Sequence, residues 1–310
     1  MNHAVTVIGS YNVGLFLKGE VIPAVGQTVI GDKFYEGGGG KGSNQAVACA
    51  KMGAPTVFIG RIGNDQFGKD ALAMYQRFGM TTEKIKVDAT IHSGISVIFI
   101  DKDGQNSIMC IPGANFNLSK ADIDEAMPVI KNSCIVGFQL ETNFDVVAYG
   151  IAKANQAGIR TLLDPAPAFK LPEEIYPSLY YIKPNEHEAT ILTGIKVTDV
   201  ESAKAAGRWF LSKGVNTAII TLGEKGAVLI SQDGERHFDT PQVPVADTTG
   251  AGDCFSGALM AALSKGESIA DAILFANYAS AISVTRYGVV DAIPEYHEVA
   301  QMLDSVRKAD

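Results

Sequence analysis

From about residue 119 onward the chain alternates between short apolar runs and longer segments of helical periodicity, and no other feature constrains the fold as tightly. Ser119 stands where a helix cap belongs, ahead of a helix through about 131. CIVGFQ (134–139) reads as a strand, and FDVVAYGIAKANQAG (144–158) as a helix closed by Gly158. RTLLDPA (160–166), YYIKPN (180–185) and TAIITLG (217–223) are further strands, with helices over about 186–193 and 200–213. GAVLIS (226–231) and 235–239 follow as strands, then helices at about 251–265, 268–284 and 295–308. Successive strands joined through helices give a mostly parallel sheet covered on both faces. The expected class is therefore α/β, a three-layer αβα core. Near the N-terminus AVTVIGS (4–10) and TVFIGRIG (56–63) belong to the same pattern, as does a helix over 65–79 behind the N-cap Asp65.

Two segments break the alternation. Residues 11–35 are β-like and rich in loops, and 91–113 carry a hairpin pattern around a DKDG turn. They predict a small β-sheet attached to the core, for example a lid. Length alone suggests two domains, but α/β folds often carry 310 residues as one, so 1–310 is read as a single unit.

Charge narrows the function. Lys and Arg number 26 against 34 Asp and Glu, a net charge of −8, which excludes an evident nucleic-acid or anionic-membrane binder. A phosphorylated ligand would need a local site of backbone N–H groups, helix ends and a metal ion. Cys49, Cys110, Cys134 and Cys254 show no C-x-x-C spacing and sit among apolar or small residues, so reduced, mostly buried thiols of a cytoplasmic protein are expected. The first residues lack the basic and apolar regions of a signal peptide, and no apolar run reaches the length of a membrane helix. His3, His92, His187, His237 and His297 show no metal-ligand spacing, and His187 reads as a surface helix residue.

The run VADTTGAGDCFSGALMAAL (245–263) carries the strongest chemical signal. Gly250, Ala251 and Gly252 precede a long helix, so their N–H groups can converge on an anion in front of the helix dipole. Asp253 lies in the first turn, placed to accept a hydroxyl proton while those groups stabilise a transferring phosphoryl group. The plainer alternative is a favourable first-turn acid behind tightly packed glycines. EGGGGKGSNQAVACAKMGA (36–54) contains a G-x-G-x-x-G match at Gly37, Gly39 and Gly42. KFYE before it is a poor buried strand, however, and no acid stands near position 62. Tyr35 and Gly42 break a Walker A match as well. A Gly loop entering a helix near Ser43 remains, with Lys41 and Asn44 available to a polar ligand, or else a hinge without ligand contact. KPNEHEATILTG (183–194) puts Asn185, Glu186 and Glu188 at a strand end, the ligand edge of an open sheet, where acids can hold Mg²⁺ through water or simply begin a helix. ITLGEKG (220–226) reaches the same edge, as a nucleotide contact or a plain turn.

GGKGSNQA (39–46), FQLE (138–141), DPAPA (164–168), KPNEHEA (183–189), TLGEKG (221–226) and DTTGAGDCFSGAL (247–259), in that order, resemble the ribokinase-like carbohydrate kinase family over nearly the whole chain. The resemblance implies an αβα core with a β-sheet lid over the sugar, often shared in a homodimer. It implies phosphoryl transfer from MgATP to the primary hydroxyl of a pentose-like sugar, ribose first, with Asp253 as base and Gly250, Ala251 and Gly252 as anion hole. Asn12, Gly14, Gly40, Lys41, Asn44 and Glu141 match sugar-side positions. Asn185, Thr221, Gly223, Gly226, Gly252 and Asn277 match nucleotide-side positions, and Glu188 the acid tied to Mg²⁺. Asp247 and Thr249, with backbone around Ser283, Arg286, Gly288 and Ala292, match a monovalent-cation site, usually for K⁺.

There are two departures. In GSYNVG (9–14) the family commonly has Asp at the position of Gly14, so a sugar hydroxyl loses a charged acceptor: either another residue compensates or the substrate differs from ribose at that hydroxyl, and Tyr11 and Phe16 nearby can reshape the pocket. Ala292 stands where Ser is usual, a change that a backbone ligand survives. The same chemistry on another sugar, a sugar acid or a nucleoside is the alternative reading. A sugar-binding regulator without catalysis and a dehydrogenase using the 37–42 loop stand further off.

Overall fold

The computed structural model describes residues 4–307. Its elements in chain order are β1 (Ala4–Ile8), β2 (Asn12–Lys18), β3 (Lys33–Gly39), α1 (Lys41–Lys51), β4 (Thr56–Gly63), α2 (Gln66–Arg77), β5 (Ile85–Asp88), β6 (Gly94–Ile100) and β7 (Asn106–Ile111). There follow α3 (Lys120–Lys131), β8 (Ser133–Phe138), α4 (Phe144–Gln156), β9 (Arg160–Leu163), β10 (Tyr181–Ile182), α5 (Glu186–Thr193) and α6 (Val200–Ser212). The last are β11 (Thr217–Thr221), β12 (Ala227–Ser231), β13 (Gly234–Phe238), α7 (Ala251–Ser264), α8 (Ile269–Ser283) and α9 (Tyr296–Arg307).

A nine-stranded sheet runs in the order β13-β12-β11-β10-β9-β8-β1-β4-β5. All its pairings are parallel except β11 with β12 and β12 with β13. Alternation along each strand divides the core in two. Val5, Val7, Ile135, Leu162 and Ile219 face a layer built on α1, α2, α7, α8 and α9. Ile8, Val136, Leu163 and Ile220 face the opposite layer of α3, α4, α5 and α6. This is the expected three-layer αβα arrangement.

A second, four-stranded sheet has the order β3-β2-β6-β7. β2 pairs antiparallel with β3 and parallel with β6, and β6 and β7 form the expected hairpin. The expected boundary at 35 was too short, because β3 continues through Gly37–Gly39. KFYE is indeed no buried strand; it belongs to an exposed edge strand of the small sheet.

Other differences are local. α1 starts at Lys41 rather than near Ser43. β9 and β10 stop before Pro165 and Pro184, which have no N–H to extend a ladder. β5 was not expected. The end of the last helix at 308, and His3, lie outside the described residues. Ser119 and Asp65 cap α3 and α2 as read, and His187 is exposed. All four cysteines are unpaired, and Cys49 and Cys254 are fully buried. Cys110 corrects the expectation of burial: it lies on β7, an edge strand of the small sheet whose residues are all exposed. Among the described residues, no helix is long and apolar enough to cross a membrane.

Candidate active site

The carboxyl ends of the parallel strands deliver the site residues. Ser10 follows β1, Glu141 follows β8, Asp164 follows β9, and Lys183 and Asn185 follow β10. Ligands of open parallel sheets bind at this edge. Two helices start there without a side-chain cap, α1 behind Gly40 and α7 behind Gly250. Gly250 takes the left-handed conformation (φ 76°), and a Cβ on it would lie 2.6 Å from Val289 Cγ1. The turn therefore requires glycine.

α1 and α7 cross at very short range. A Cβ on Gly257 would stand 2.4 Å from Ala48 Cβ and 2.6 Å from the Gln45 carbonyl. The close crossing brings polar groups of α1 onto the α7 acid. Asn44 Nδ2 donates to Asp253 Oδ2 at 2.9 Å, and Gln45 Nε2 to Asp253 Oδ1 at 3.1 Å. Asp253 is 5% exposed, so both carboxylate oxygens are oriented within a nearly dry site. Asn44 Oδ1 is buried with no protein partner, an open acceptor beside the carboxylate.

The sugar-side set converges on the same place. Glu141 Oε2 accepts from Ser10 Oγ at 2.6 Å and from the Lys41 N–H at 2.9 Å. Gly40 packs on the Asn12 backbone, where a Cβ would come within 2.7 Å of the Asn12 nitrogen. Asn12 Oδ1 accepts from Asn115 Nδ2 at 2.9 Å. The charge of Asp253 holds the Lys41 ammonium above its ordinary pKa against the opposing effect of burial, with Asp164, Glu141 and Glu188 adding to it. Gly14 is buried on β2, and the place of its missing side chain is taken: a Cβ there would lie 2.7 Å from Phe16 Cε2. The Phe16 ring stacks on Tyr35 with centroids 4.6 Å apart.

The nucleotide-side set lies along β10, β11 and β13. Asn185 and Glu188 form a reciprocal capping box on α5. Asn185 bridges Thr221, whose N–H donates to the Pro184 carbonyl at 3.0 Å. Gly223 opens a single 3₁₀ turn closed by Gly226, which packs on the Phe238 carbonyl. Asn277 donates to the Phe238 and Asp239 carbonyls, each at 3.2 Å, so its amide pins the end of β13. Burial and the charge of Asp164 push the Glu188 carboxyl up, opposed by Lys183, the Asn185 N–H and Lys41.

The third set also gathers. Asp247 Oδ1 accepts from the Thr249 N–H and hydroxyl at 2.9 and 2.6 Å, and its Oδ2 faces the Gly288 N–H at 3.4 Å. The Ala246 and Asp247 N–H groups donate to the Val284 carbonyl, next to Ser283. The Arg286 guanidinium pairs with Glu298 and leaves Asp247 without a cationic partner among the described residues. Ala292 is buried at 2%.

Sequence reasoning missed a buried network beneath these groups, formed by Gln45, Gln139, Asp164, Lys183 and Ser256. Its signal was present: SNQ is a polar triplet in a helix that is otherwise small and apolar, and Asp164 ends the apolar run RTLL.

A buried carboxylate at an uncapped helix start, held by two amide donors on the carboxyl edge of a parallel sheet, is placed to take a hydroxyl proton beside an anion site, as an enzyme that phosphorylates a small-molecule hydroxyl requires. The sequence pattern of the pfkB family carbohydrate kinases matches residues 2–295, and the chain belongs to that family of ATP-dependent sugar kinases. The ribokinase of Staphylococcus aureus is 38% identical over 306 residues, 97% of this chain and 100% of that protein. The deoxyribokinase of Salmonella typhimurium is 35% identical over 310 residues, covering 96% and 98%. The structure of Arabidopsis thaliana ribokinase complexed with ribose and ATP superposes with a TM-score of 0.91 at 30% identity, over 98% of this chain and 99% of that one.

Proposed function

We propose that the chain transfers a phosphoryl group from MgATP to the primary hydroxyl of a pentose, with Asp253 taking the hydroxyl proton. The carrying observation is the Asp253 carboxylate, held by Asn44 and Gln45 at the start of α7. Both hydrogen bonds fix the orientation of the carboxylate that would accept the proton. The N–H groups of Gly250, Ala251 and Gly252 would receive the charge of the transferring group, that of Ala251 on release from the Thr248 carbonyl, to which it donates at 3.2 Å. Asn12, Gly40, Lys41, Asn44 and Glu141 would bind the sugar, and Asn185, Thr221, Gly223, Gly226 and Asn277 would surround the nucleotide. Ribokinases and a deoxyribokinase among the relatives support a pentose.

Gly14 favours a second reading within this class. The wall at that position is the Phe16 ring rather than an acceptor group, which suits a pentose lacking one hydroxyl better than ribose.

Glu188 fits a hydrated Mg²⁺, because only one of its oxygens is engaged by the Asn185 N–H. The ion would neutralise phosphate charge. Asp247, with no cationic partner, fits a monovalent ion such as K⁺ together with backbone at Thr249, Ser283, Arg286, Gly288 and Ala292; its effect would be to fix the loop before α7. The whole chain would act as one kinase unit in the cytoplasm. The small sheet would serve as its lid and as the seat of a homodimer.

ADP release across ribose, 2-deoxyribose, hexoses, sugar acids and nucleosides tests the reading, with Asp253→Asn as reference. Turnover is expected with a pentose, and the variant should lose nearly all of it while still binding ATP. Turnover retained by Asp253→Asn would remove Asp253 as the base. No turnover with any acceptor would point to a sugar-binding regulator.

A further inference from the structure

Lys183 and Asp164 form an ion pair at 3.0 Å, each with a side chain only 3% exposed. A buried pair of this kind is a poor device for stability alone, since its desolvation offsets its attraction. Its neighbours point to another use. Lys183 Nζ donates to the Gly252 carbonyl at 3.2 Å. Asp164 Oδ2 accepts from Gln45 Nε2 at 2.8 Å and from Ser256 Oγ at 3.0 Å. The same Gln45 nitrogen donates to Asp253 Oδ1 at 3.1 Å, and Gln45 Oε1 is held by Gln139 Nε2 at 2.6 Å. One amide thus spends one hydrogen on Asp164 and the other on Asp253.

The Gly252 contact acts on the other half of the site. In a trans peptide the carbonyl and the following N–H point in opposite directions. A cation fixed on the Gly252 oxygen therefore aims the Asp253 N–H toward the open start of α7, and polarises that peptide as a donor. The Ser256 hydroxyl lies 3.0 Å from this carbonyl and 3.0 Å from Asp164 Oδ2, and its single hydrogen can serve one of them at a time.

We propose that Lys183 and Asp164 are a positioning pair for phosphoryl transfer, Lys183 setting the peptide at the start of α7 and Asp164, through Gln45, setting the Asp253 carboxylate. This rests on the reading of Asp253 as the base. With each side chain only 3% exposed, the pair is set back from the open start of α7 and acts through Gly252 and Gln45. Its loss should slow the chemical step and leave ground-state binding in place.

The test is steady-state kinetics on Lys183→Met, Lys183→Arg and Asp164→Asn, with circular dichroism and thermal unfolding as the check of fold. Lys183→Met and Asp164→Asn are expected to lose about 10- to 100-fold in kcat, with KM for sugar and for ATP within about threefold of the parent. Lys183→Arg, which keeps the charge and a donor, should recover part of the loss. A folded Lys183→Met with parental kcat overturns the proposal, as does a variant whose defect lies in KM. Should Lys183→Met not fold, the isosteric Asp164→Asn decides by the same split. Asp253→Asn run in parallel separates the two levels. If it retains turnover, the base assignment fails. If it is inactive while both pair variants are unimpaired, only the positioning role fails.

Discussion

At position 14 a single missing side chain sets the acceptor question. Gly14 sits on β2 opposite Ser96 on β6 and Gly37 on β3, and the Phe16 ring fills the space above it. Gly14→Asp should restore an acceptor for a sugar hydroxyl, a difference of about 1–3 kcal/mol, or roughly 5- to 150-fold in discrimination. The kcat/KM ratio of ribose over 2-deoxyribose is expected to rise by about that factor. Because the new Cβ meets Phe16, the paired variant Gly14→Asp/Phe16→Ala should show the rise in full. An unchanged ratio in both would detach position 14 from substrate choice. The absence of an acid at 14 was legible in GSYNVG; the ring that replaces it was not, because a rotamer folding back onto its own strand leaves no mark in residue spacing. Asp253 was legible as a first-turn acid. Its partner Gln45 was not, since the contact spans 208 positions of chain and depends on how closely two helices cross.

Elements set that closeness. α1 and α7 approach because glycine and alanine face each other at Gly257 and Ala48. Gly257→Val would drive a branched side chain into Ala48 and the Gln45 carbonyl. Overpacking of this kind costs about 1–3 kcal/mol, and denaturant unfolding should show a lower midpoint. The displacement also moves Asn44 and Gln45 away from Asp253, so kcat should fall by more than lost stability explains; a variant destabilised yet fully active would uncouple the crossing from the site. Most elements could be read from the sequence because periodicity and caps are local, as at Ser119 and Asp65. The exceptions share one cause, tertiary context. β5 has four residues and is fixed only by pairing with β4. β3 runs through three glycines, which carry no β signal of their own and become strand by pairing with β2.

Across the whole molecule, the two faces of the small sheet differ in what they meet. Residues directly opposite one another in its ladders share a face. Phe34, Leu17 and Phe99 form one such row, Leu15, Val97 and Met109 the next, and Ile95 with Ile111 a third. Phe34 is 64% exposed and Met109 66%, with Leu17 and Ile111 also open to solvent. Glu36, opposite Leu15, and Ser107, opposite Phe99, stand at the two edges of this face; an exposed apolar patch between such edges is rarely left in water by a monomer. A two-fold axis through it would let one patch cover its own copy, the commonest way for identical subunits to associate. The opposite face carries Asn12, Gly14 and Phe16, so a dimer made this way would brace the small sheet from behind while leaving its site-facing residues free. Met109→Lys places a charge on the β7 side of the patch without touching Asn12 or Asp253. Light scattering should show a dimer for the parent and a monomer for the variant. KM for the sugar should then rise, because an unbraced lid samples more conformations before it closes. A parent that is monomeric at micromolar concentration would remove the dimer. A variant that is monomeric with unchanged KM would keep the dimer and deny it any part in closing the site.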